Sequence, residues 1–432
     1  MLLSRLIRVS VLAACALPLA AEVLVLKAAR LFDGRSDRLR EPGAVVVNGS
    51  RIESVGLPAA TPAGARVIDL GDATLLPGFL DAHTHLSGQR SDDSLADFER
   101  GFTRTVPERS LLAGSFARKT LLAGFTTVRD LGGDDFIDVG LRDAIRRGYA
   151  EGPRMLVAVR GIGTTGGHCD PTNGLLFGLL DPRQESPAVA NGPDGIRAAV
   201  RWNVKYGADV IKTCATGGVL SLNEDVDSAQ LTQEEMNALA EEAHAKGKKA
   251  AAHAHGAEGA RRAVRAGIDS IEHGSFLDEE ALKMMLARGT FYVPTLMAVK
   301  GIRESLDKGG RMDPRTAQKA RRAMDSIDVT VRKAIAMGVR IAFGTDAAVY
   351  PHGRNAEEFG LLVERGMPPA EALKAATSVD AELFGVSDRL GTLEAGKLAD
   401  IVAVPGNPLA DIRVTERVFF VMKEGRIYRH DQ

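Results

Sequence analysis

The 432-residue sequence predicts an α/β protein: a (β/α)8 barrel over residues 76–385, carrying a small β-sandwich built from residues 22–75 and 386–432. Three observations point there. Between Pro77 and Gly385 short apolar stretches alternate with helical ones, the signal of parallel βα units. Eight strands can be placed, at 78–83, 126–130, 155–159, 210–213, 249–253, 270–272, 291–293 and 340–344. Eight such units argue for a closed barrel whose active face lies at the C-terminal strand ends. Outside that middle, both ends of the chain are β-rich and suggest one shared sheet domain.

Composition narrows the class. Hydrophobic residues at 45% and charged residues at 26% are ordinary for a globular chain. A net charge of -1 gives no bulk attraction to nucleic acid or to an anionic membrane. Residues 1–21 read as an export signal, because Arg5 and Arg8 precede an apolar stretch too short to span a bilayer. Cleavage near Ala20 or Ala21 predicts a periplasmic or secreted protein without stable membrane insertion. Leu12-Ala13-Ala14-Cys15 resembles a lipoprotein box, but only about seven residues would separate Cys15 from the first strand. The other cysteines, Cys169 and Cys214, belong to no CxxC pair, so both are expected as free, shielded thiols.

In chain order, strands are expected at 23–26, 44–47 and 51–55, with Asn48-Gly49 as a hairpin turn. The barrel opens with a buried strand that ends in His83 and His85. Residues two apart on a strand share a face, so both imidazoles suit a divalent metal; solvated loop histidines are the plainer alternative. Strand 2 ends in Arg129 and Asp130. Asp130 is expected to organise the barrel mouth, and Arg129 to pair with it or to face an anionic substrate. Beyond strand 3 comes the glycine-rich Gly166-Gly167-His168-Cys169-Asp170, in which His168 is a substrate candidate or a surface histidine.

Strand 4 carries Lys212 in an apolar setting. The following Thr216-Gly217-Gly218-Val219-Leu220-Ser221 lacks the ending of a phosphate-binding loop, so Gly218 and Val219 are read as substrate-facing. Thr232 and Glu235 fit a capping box for a helix that Gly247 can end. Strand 5 ends in His253, with His255 two residues on, and strand 6 ends in His273. Thr295 and Leu296, past strand 7, are candidates for a leaving-group pocket, and strand 8 ends in Asp346. Strands at 400–404 and 418–422 close the chain. His244, His352 and His430 are expected to be solvated.

Metal-capable residues and one buried lysine thus fall at the ends of five different strands. The stretches Leu76-Pro77-Gly78-Phe79-Leu80-Asp81-Ala82-His83-Thr84-His85, Gly124-Phe125-Thr126-Thr127-Val128-Arg129-Asp130, His253-Ala254-His255-Gly256, Glu272-His273-Gly274, Gly344-Thr345-Asp346 and Leu393-Glu394-Ala395-Gly396-Lys397 resemble the amidohydrolase superfamily. The likeness is to its imidazolonepropionase-like, prolidase-like branch, near the ochratoxin-hydrolysing amidohydrolases, and covers nearly all of the chain beyond residue 21. It implies a TIM barrel with a terminal β-sandwich, and a homo-oligomer. It implies that Lys212 is carboxylated and bridges two metals, with His83, His85 and Asp346 on one and His253 and His273 on the other. It also makes His168 a substrate residue, polarising the scissile carbonyl or contacting a carboxylate, and places His255 near a substrate carboxylate, with a supporting hydrogen bond as the alternative.

The chemistry stands beside the likeness. An ammonium offers only donors and cannot ligate, whereas a lysine carbamate is an anion with two oxygens. A hydroxide held between two cations is nucleophilic near neutral pH, and Asp346 can take its proton and pass it to the leaving nitrogen. Imidazole and carboxylate-type ligands favour zinc. The expected activity is hydrolysis of the amide bond of a dipeptide or N-acyl amino acid, with an apolar or aromatic C-terminal residue. The alternatives are a cyclic-amide or lactone hydrolase, and a barrel that has lost catalysis and only binds.

Overall fold

The computed structural model describes residues 22–56, 62–179, 187–222 and 224–431; the expected export signal, Cys15 included, lies outside the described residues. Six strands come first: β1 (Val23–Ala28), β2 (Arg30–Leu31), β3 (Gly43–Asn48), β4 (Arg51–Val55), β5 (Arg66–Asp69) and β6 (Ala73–Pro77). The middle holds β7 (Phe79–Thr84), β8 (Phe125–Asp130), β9 (Arg154–Val157), β10 (Gly161–Ile162), β11 (Val210–Cys214), β12 (Lys249–Gly256), β13 (Ser270–Phe276) and β14 (Phe291–Val293). The chain ends with β15 (Ile401–Pro405), β16 (Phe420–Lys423) and β17 (Arg426–His430).

Strands from both chain ends meet in one of two terminal sheets. One sheet runs β4-β3-β1-β5, and another runs β17-β16-β15-β6-β2. Leu26, Val45 and Ile52 pack in one buried cluster with Ile401, Ala403, Phe420 and Met422. Each large aliphatic or aromatic side chain so buried contributes about 1.5–3 kcal/mol. Asn48-Gly49 makes the expected hairpin: Asn48 pairs with Arg51, and Gly49 takes the φ of +57° that such a turn requires.

The middle forms two parallel sheets, β7-β8-β9 and β10-β11-β12-β13-β14. The expected third strand is broken, because Val159 turns left-handed and its N–H donates to the Asp138 carboxylate at 3.0 Å instead of a ladder. Across that break Asp209 N–H still reaches Val157 O at 2.7 Å. Residues 340–347, the expected eighth strand, make no continuous ladder either. Their backbone bonds alternate between β14 (Tyr292 N to Arg340 O, 2.8 Å) and β7 (Ala82 N to Phe343 O, 2.7 Å). Asp346 N–H then donates to His83 O at 2.7 Å, which fixes the two C-terminal strand ends against each other.

Helices cover this parallel sheet structure. The helix Gln233–Ala245 starts in the expected capping box, Thr232 with Glu235. The long helix Pro314–Met337 turns Ala323, Met324 and Ile327 toward the strand ends. Below them Phe79, Phe125, Phe343 and Phe359 interlock, with centroids 4.4–5.7 Å apart, the spacing at which aromatic pairs attract beyond their burial. Among the described residues no helix is long and apolar enough to cross a membrane.

Candidate active site

The C-terminal ends of the parallel strands open on one cavity of about 550 Å³, lined by His83, His85, His168, Lys212, His253, His255, His273, Thr295 and Asp346. Every residue expected from sequence to hold a metal therefore faces a common space. His83 Nε2 and His85 Nε2 lie 3.7 and 3.4 Å from Asp346 Oδ1. One ligand atom from each of these three falls within 4.8 Å of the others, a spacing that a single cation can bridge. The imidazoles run on as a chain: His83 to His273 at 4.9 Å between centroids, His273 to His253 at 4.6 Å, and His253 to His168 at 4.2 Å.

Each imidazole is oriented from behind. His83 Nδ1 donates to Glu272 at 2.9 Å and His85 Nδ1 to Gly132 O at 2.9 Å. His273 Nδ1 meets Thr295 Oγ1 at 2.8 Å, His255 Nδ1 meets Ser275 Oγ at 2.9 Å, and His168 Nδ1 meets Ser221 Oγ at 2.9 Å. An acceptor-only partner fixes the proton on Nδ1 and leaves the Nε2 lone pair for a ligand. His253 is turned the other way, with Nε2 on Gly217 O at 3.1 Å, so its Nδ1 is the free atom.

Electrostatics prepares the same set for ligation. Burial, helped by the Lys212 charge, holds His83 and His168 down to about 4, and burial, helped by His168 and Lys212, holds His255 to about 3. His253 and His273 are pushed well below the usual range by burial. All five are thus neutral at neutral pH, whereas His85 shifts the other way: burial opposes its protonation, but the Asp346 carboxylate outweighs that and raises it. Burial favours the neutral acid at Asp346, but His83 and His85 outweigh it and keep the carboxylate ionised. Burial pulls Lys212 down to about 8, and its Nζ is buried with no hydrogen-bond partner. His273, Thr295 and Asp346 all adopt left-handed backbone at φ 68°, 51° and 57°, which re-aims each side chain where its strand ends.

Several expectations are corrected. Cys169 and Cys214 are joined in a disulfide rather than free. The loop after strand 3 and the end of strand 4 are neighbours at the cavity, a proximity that a sequence separation of 45 hides. Arg129 faces no substrate. It is buried, and donates to Ala82 O, Ser270 Oγ and Glu272 Oε1. Its neighbour Asp130 accepts from Leu86 N–H at 2.6 Å instead. Leu296 is buried away from the cavity, its N–H on Glu358. Gly218 is a seat for His168 rather than a wall: a Cβ there would stand 2.1 Å from the imidazole. Val219 does line the cavity. His352 is buried and stacked on Phe116 at 4.7 Å, not solvated, while His430 is exposed and His244, although accessible, is held by Asp269. Sequence reasoning passed over Ser221, Ser275 and Arg90; only the Glu-His-Gly stretch held a visible signal, for Glu272.

Residues 74–428 match the amidohydrolase family, and the chain belongs to that family. It is accordingly a hydrolase of amide bonds in small molecules. It is 33% identical over 430 residues to ochratoxinase from Aspergillus niger, an alignment covering 95% of this chain and 87% of that one. Its fold superimposes on a Xaa-Pro dipeptidase solved with methionine in the active site, with TM-score 0.89 and 42% identity over 94% of this chain and all of that one. A prolidase complexed with N-methylphosphonate-L-proline is also similar, with TM-score 0.86 and 31% identity over 95% of this chain and 100% of that one.

Proposed function

We propose that this chain is a binuclear metal-dependent amidohydrolase that cleaves the amide bond of dipeptides or N-acyl amino acids and releases the C-terminal amino acid. Ochratoxin A, an N-acyl phenylalanine, falls within that range and would yield ochratoxin alpha and phenylalanine. The observation that carries the reading is Lys212. Its Nζ is buried and unpartnered, and its charge acts on His83, His168, His253, His273 and Asp346 alike. Attack of the neutral amine on CO2, with loss of one proton, would turn this orphaned donor into an anionic carbamate with two acceptor oxygens. His83, His85 and Asp346 would then hold one cation, His253 and His273 the other, and the carbamate of Lys212 both. The imidazole nitrogens and the ionised carboxylate fit that donor set, with zinc the favoured metal.

When bound, the cations supply a water of lowered pKa and polarise the scissile carbonyl. Asp346, ionised and facing His83 and His85, accepts the proton of the attacking water and returns it to the leaving nitrogen. His168, steadied by Ser221, contacts the substrate carbonyl, and His255 packs edge-on against His253. The apolar wall of Val219, Val299, Ile302 and Met324 shields that exchange from bulk water and favours an apolar side chain.

The further organisation belongs to the same proposal. The bonds of residues 340–347 to both neighbouring strands support a closed (β/α)8 barrel, and the shared terminal core supports a separate β-sandwich domain. The disulfide suits the oxidising compartment to which an export signal over residues 1–21 would direct the chain. Assembly as a homo-oligomer is also proposed.

The deciding experiment is metal analysis of freshly purified protein, followed by assay of N-acyl amino acids and dipeptides beside cyclic imides and lactones. Bound divalent metal and release of the amino acid are expected. Activity confined to the ring substrates, or an empty site, would overturn the reading.

A further inference from the structure

In and around the cavity stand more cationic side chains than the proposed chemistry uses, and their partners separate them. Arg160 is ion-paired with Asp134. Lys319, behind the loop of residues 218–224, spends its ammonium on the carbonyls of Gly218, Ser221 and Glu224. Arg129 is locked inside the sheet by three acceptors. Lys212 belongs to the proposed metal centre. Arg90 is different: it lines the cavity, and among the described residues its guanidinium has neither a hydrogen-bond acceptor nor an ion-pair partner. Burial weakens its charge, and Asp97 and Asp346 offset that only from a distance.

Its position is fixed at the backbone. The Arg90 N–H donates to Ala348 O at 2.8 Å, two residues beyond Asp346. The side chain borders both the main cavity and an adjoining one of about 240 Å³. Leu220, Ile302 and Val349 border both cavities too, so the unmatched cation stands at a junction whose other walls are apolar. A planar guanidinium binds a carboxylate through two parallel N–H bonds, and a partly buried one without an acceptor is incomplete until an anion arrives.

We propose that Arg90 receives the free α-carboxylate of the C-terminal amino acid, whose apolar side chain then lies along Ile302 and Val349. This rests on the amide-hydrolase reading above and adds to it the reason that a free carboxylate is required. His255, the residue the resemblance placed near this carboxylate, has its Nδ1 taken up by Ser275 Oγ at 2.9 Å and offers one ring nitrogen where a guanidinium offers two parallel N–H groups.

The test compares wild type, Arg90→Gln and Arg90→Lys in two measurements on the metal-loaded enzyme. One is hydrolysis of N-benzoyl-L-phenylalanine against its C-terminal carboxamide; the other is equilibrium binding of L-phenylalanine against L-phenylalaninamide. Wild type should prefer the acid in both. In Arg90→Gln, kcat/KM for the acid should fall about 10- to 100-fold, mostly through KM, with the carboxamide unchanged. Phenylalanine affinity should fall by a similar factor, and Arg90→Lys should recover part of both. A Gln variant that keeps the acid preference, or loses both substrates equally, overturns the assignment. A wild type that binds phenylalanine through Arg90 yet cleaves no N-acyl amino acid keeps the carboxylate site and overturns the hydrolytic reading instead. A wild type that does neither overturns both.

Discussion

His83 donates its Nδ1 proton to Glu272 across 2.9 Å, and neither residue has access to solvent. The other Glu272 oxygen accepts from Arg129 at 2.9 Å and from Ser270 at 2.6 Å. Burial would raise the carboxyl, but Arg129 and His83 outweigh it and hold Glu272 to about 2. A permanent anion thus sets the tautomer and basicity of an imidazole in the cavity, while an internal arginine holds the anion.

Glu272→Gln keeps the shape of that contact and removes its charge. Metal affinity, measured by competition with a chelator, should fall about 10- to 100-fold with the fold retained. Glu272→Leu also strands Arg129 as a buried, unpaired cation, and should cost about 3–5 kcal/mol of unfolding free energy in denaturant titrations. Equal metal affinity in wild type and Glu272→Gln would dismiss the orienting role.

Lys212 and Asp346 separate two functions. Lys212→Ala should lose metal and activity together, and short-chain carboxylic acids should restore part of both by standing in for the carbamate. Asp346→Asn should keep its circular dichroism and melting temperature while kcat drops by about 10²–10⁴. Full turnover in Asp346→Asn would refute the proton transfer.

Gly218 sits against His168 with no room for a methyl group, since a Cβ would approach Nδ1 and Cε1 to 2.1 Å. Gly218→Ala should push the imidazole off Ser221 and lower kcat/KM by about 100-fold, the scale of a 1 Å misplacement. Stability should change little, because the loop is part of the cavity rim and not of the core. An unaltered rate would show that His168 does not need this seat.

The Cys169–Cys214 disulfide ties the His168 loop to the strand of Lys212 and closes 45 residues of chain. Closing a loop of that length removes about 4 kcal/mol of entropy from the unfolded chain. Oxidised protein lacking residues 1–21 should show no reactive thiol in denaturant, since its cysteines are then Cys169 and Cys214. Cys169→Ser/Cys214→Ser should unfold at lower denaturant. Free thiols in the oxidised protein would remove the crosslink from the argument.

The divide between what was legible in the sequence and what was not is physical. Histidines at strand ends declare themselves, because a strand's two-residue period and its terminal turn are local, and His83, His85, His253 and His273 all reach the cavity. The Glu272–Arg129 pair joins two strands and the disulfide joins a loop to a strand, and no local pattern around these residues encodes such distant partners. Val159 broke an expected strand through one bond to Asp138 on the preceding helix, a tertiary contact overriding a local β preference. His352 looked solvated from its Pro-His-Gly surroundings, yet Phe116 covers it from a helix more than two hundred residues earlier.

Glu358 offers a prediction away from the cavity's ligands. It is buried and accepts from Leu296 N–H at 3.0 Å and Met297 N–H at 2.6 Å, at the start of the helix Leu296–Asp307. Burial outweighs those two donors and raises its carboxyl from 4.5 to about 8. Between these limits the native state keeps a proton that the unfolded chain has released, so native stability falls as pH rises. The contribution is complete below the unfolded value and is lost progressively up to the native one. Glu358→Gln keeps the acceptor and cannot titrate. The unfolding free energy of wild type relative to Glu358→Gln should therefore decline from about pH 5 to about pH 8, by at most about 1.4 kcal/mol per unit. A difference that stays constant across that range would mean the carboxylate is ionised inside the fold, held by the helix's first N–H groups alone.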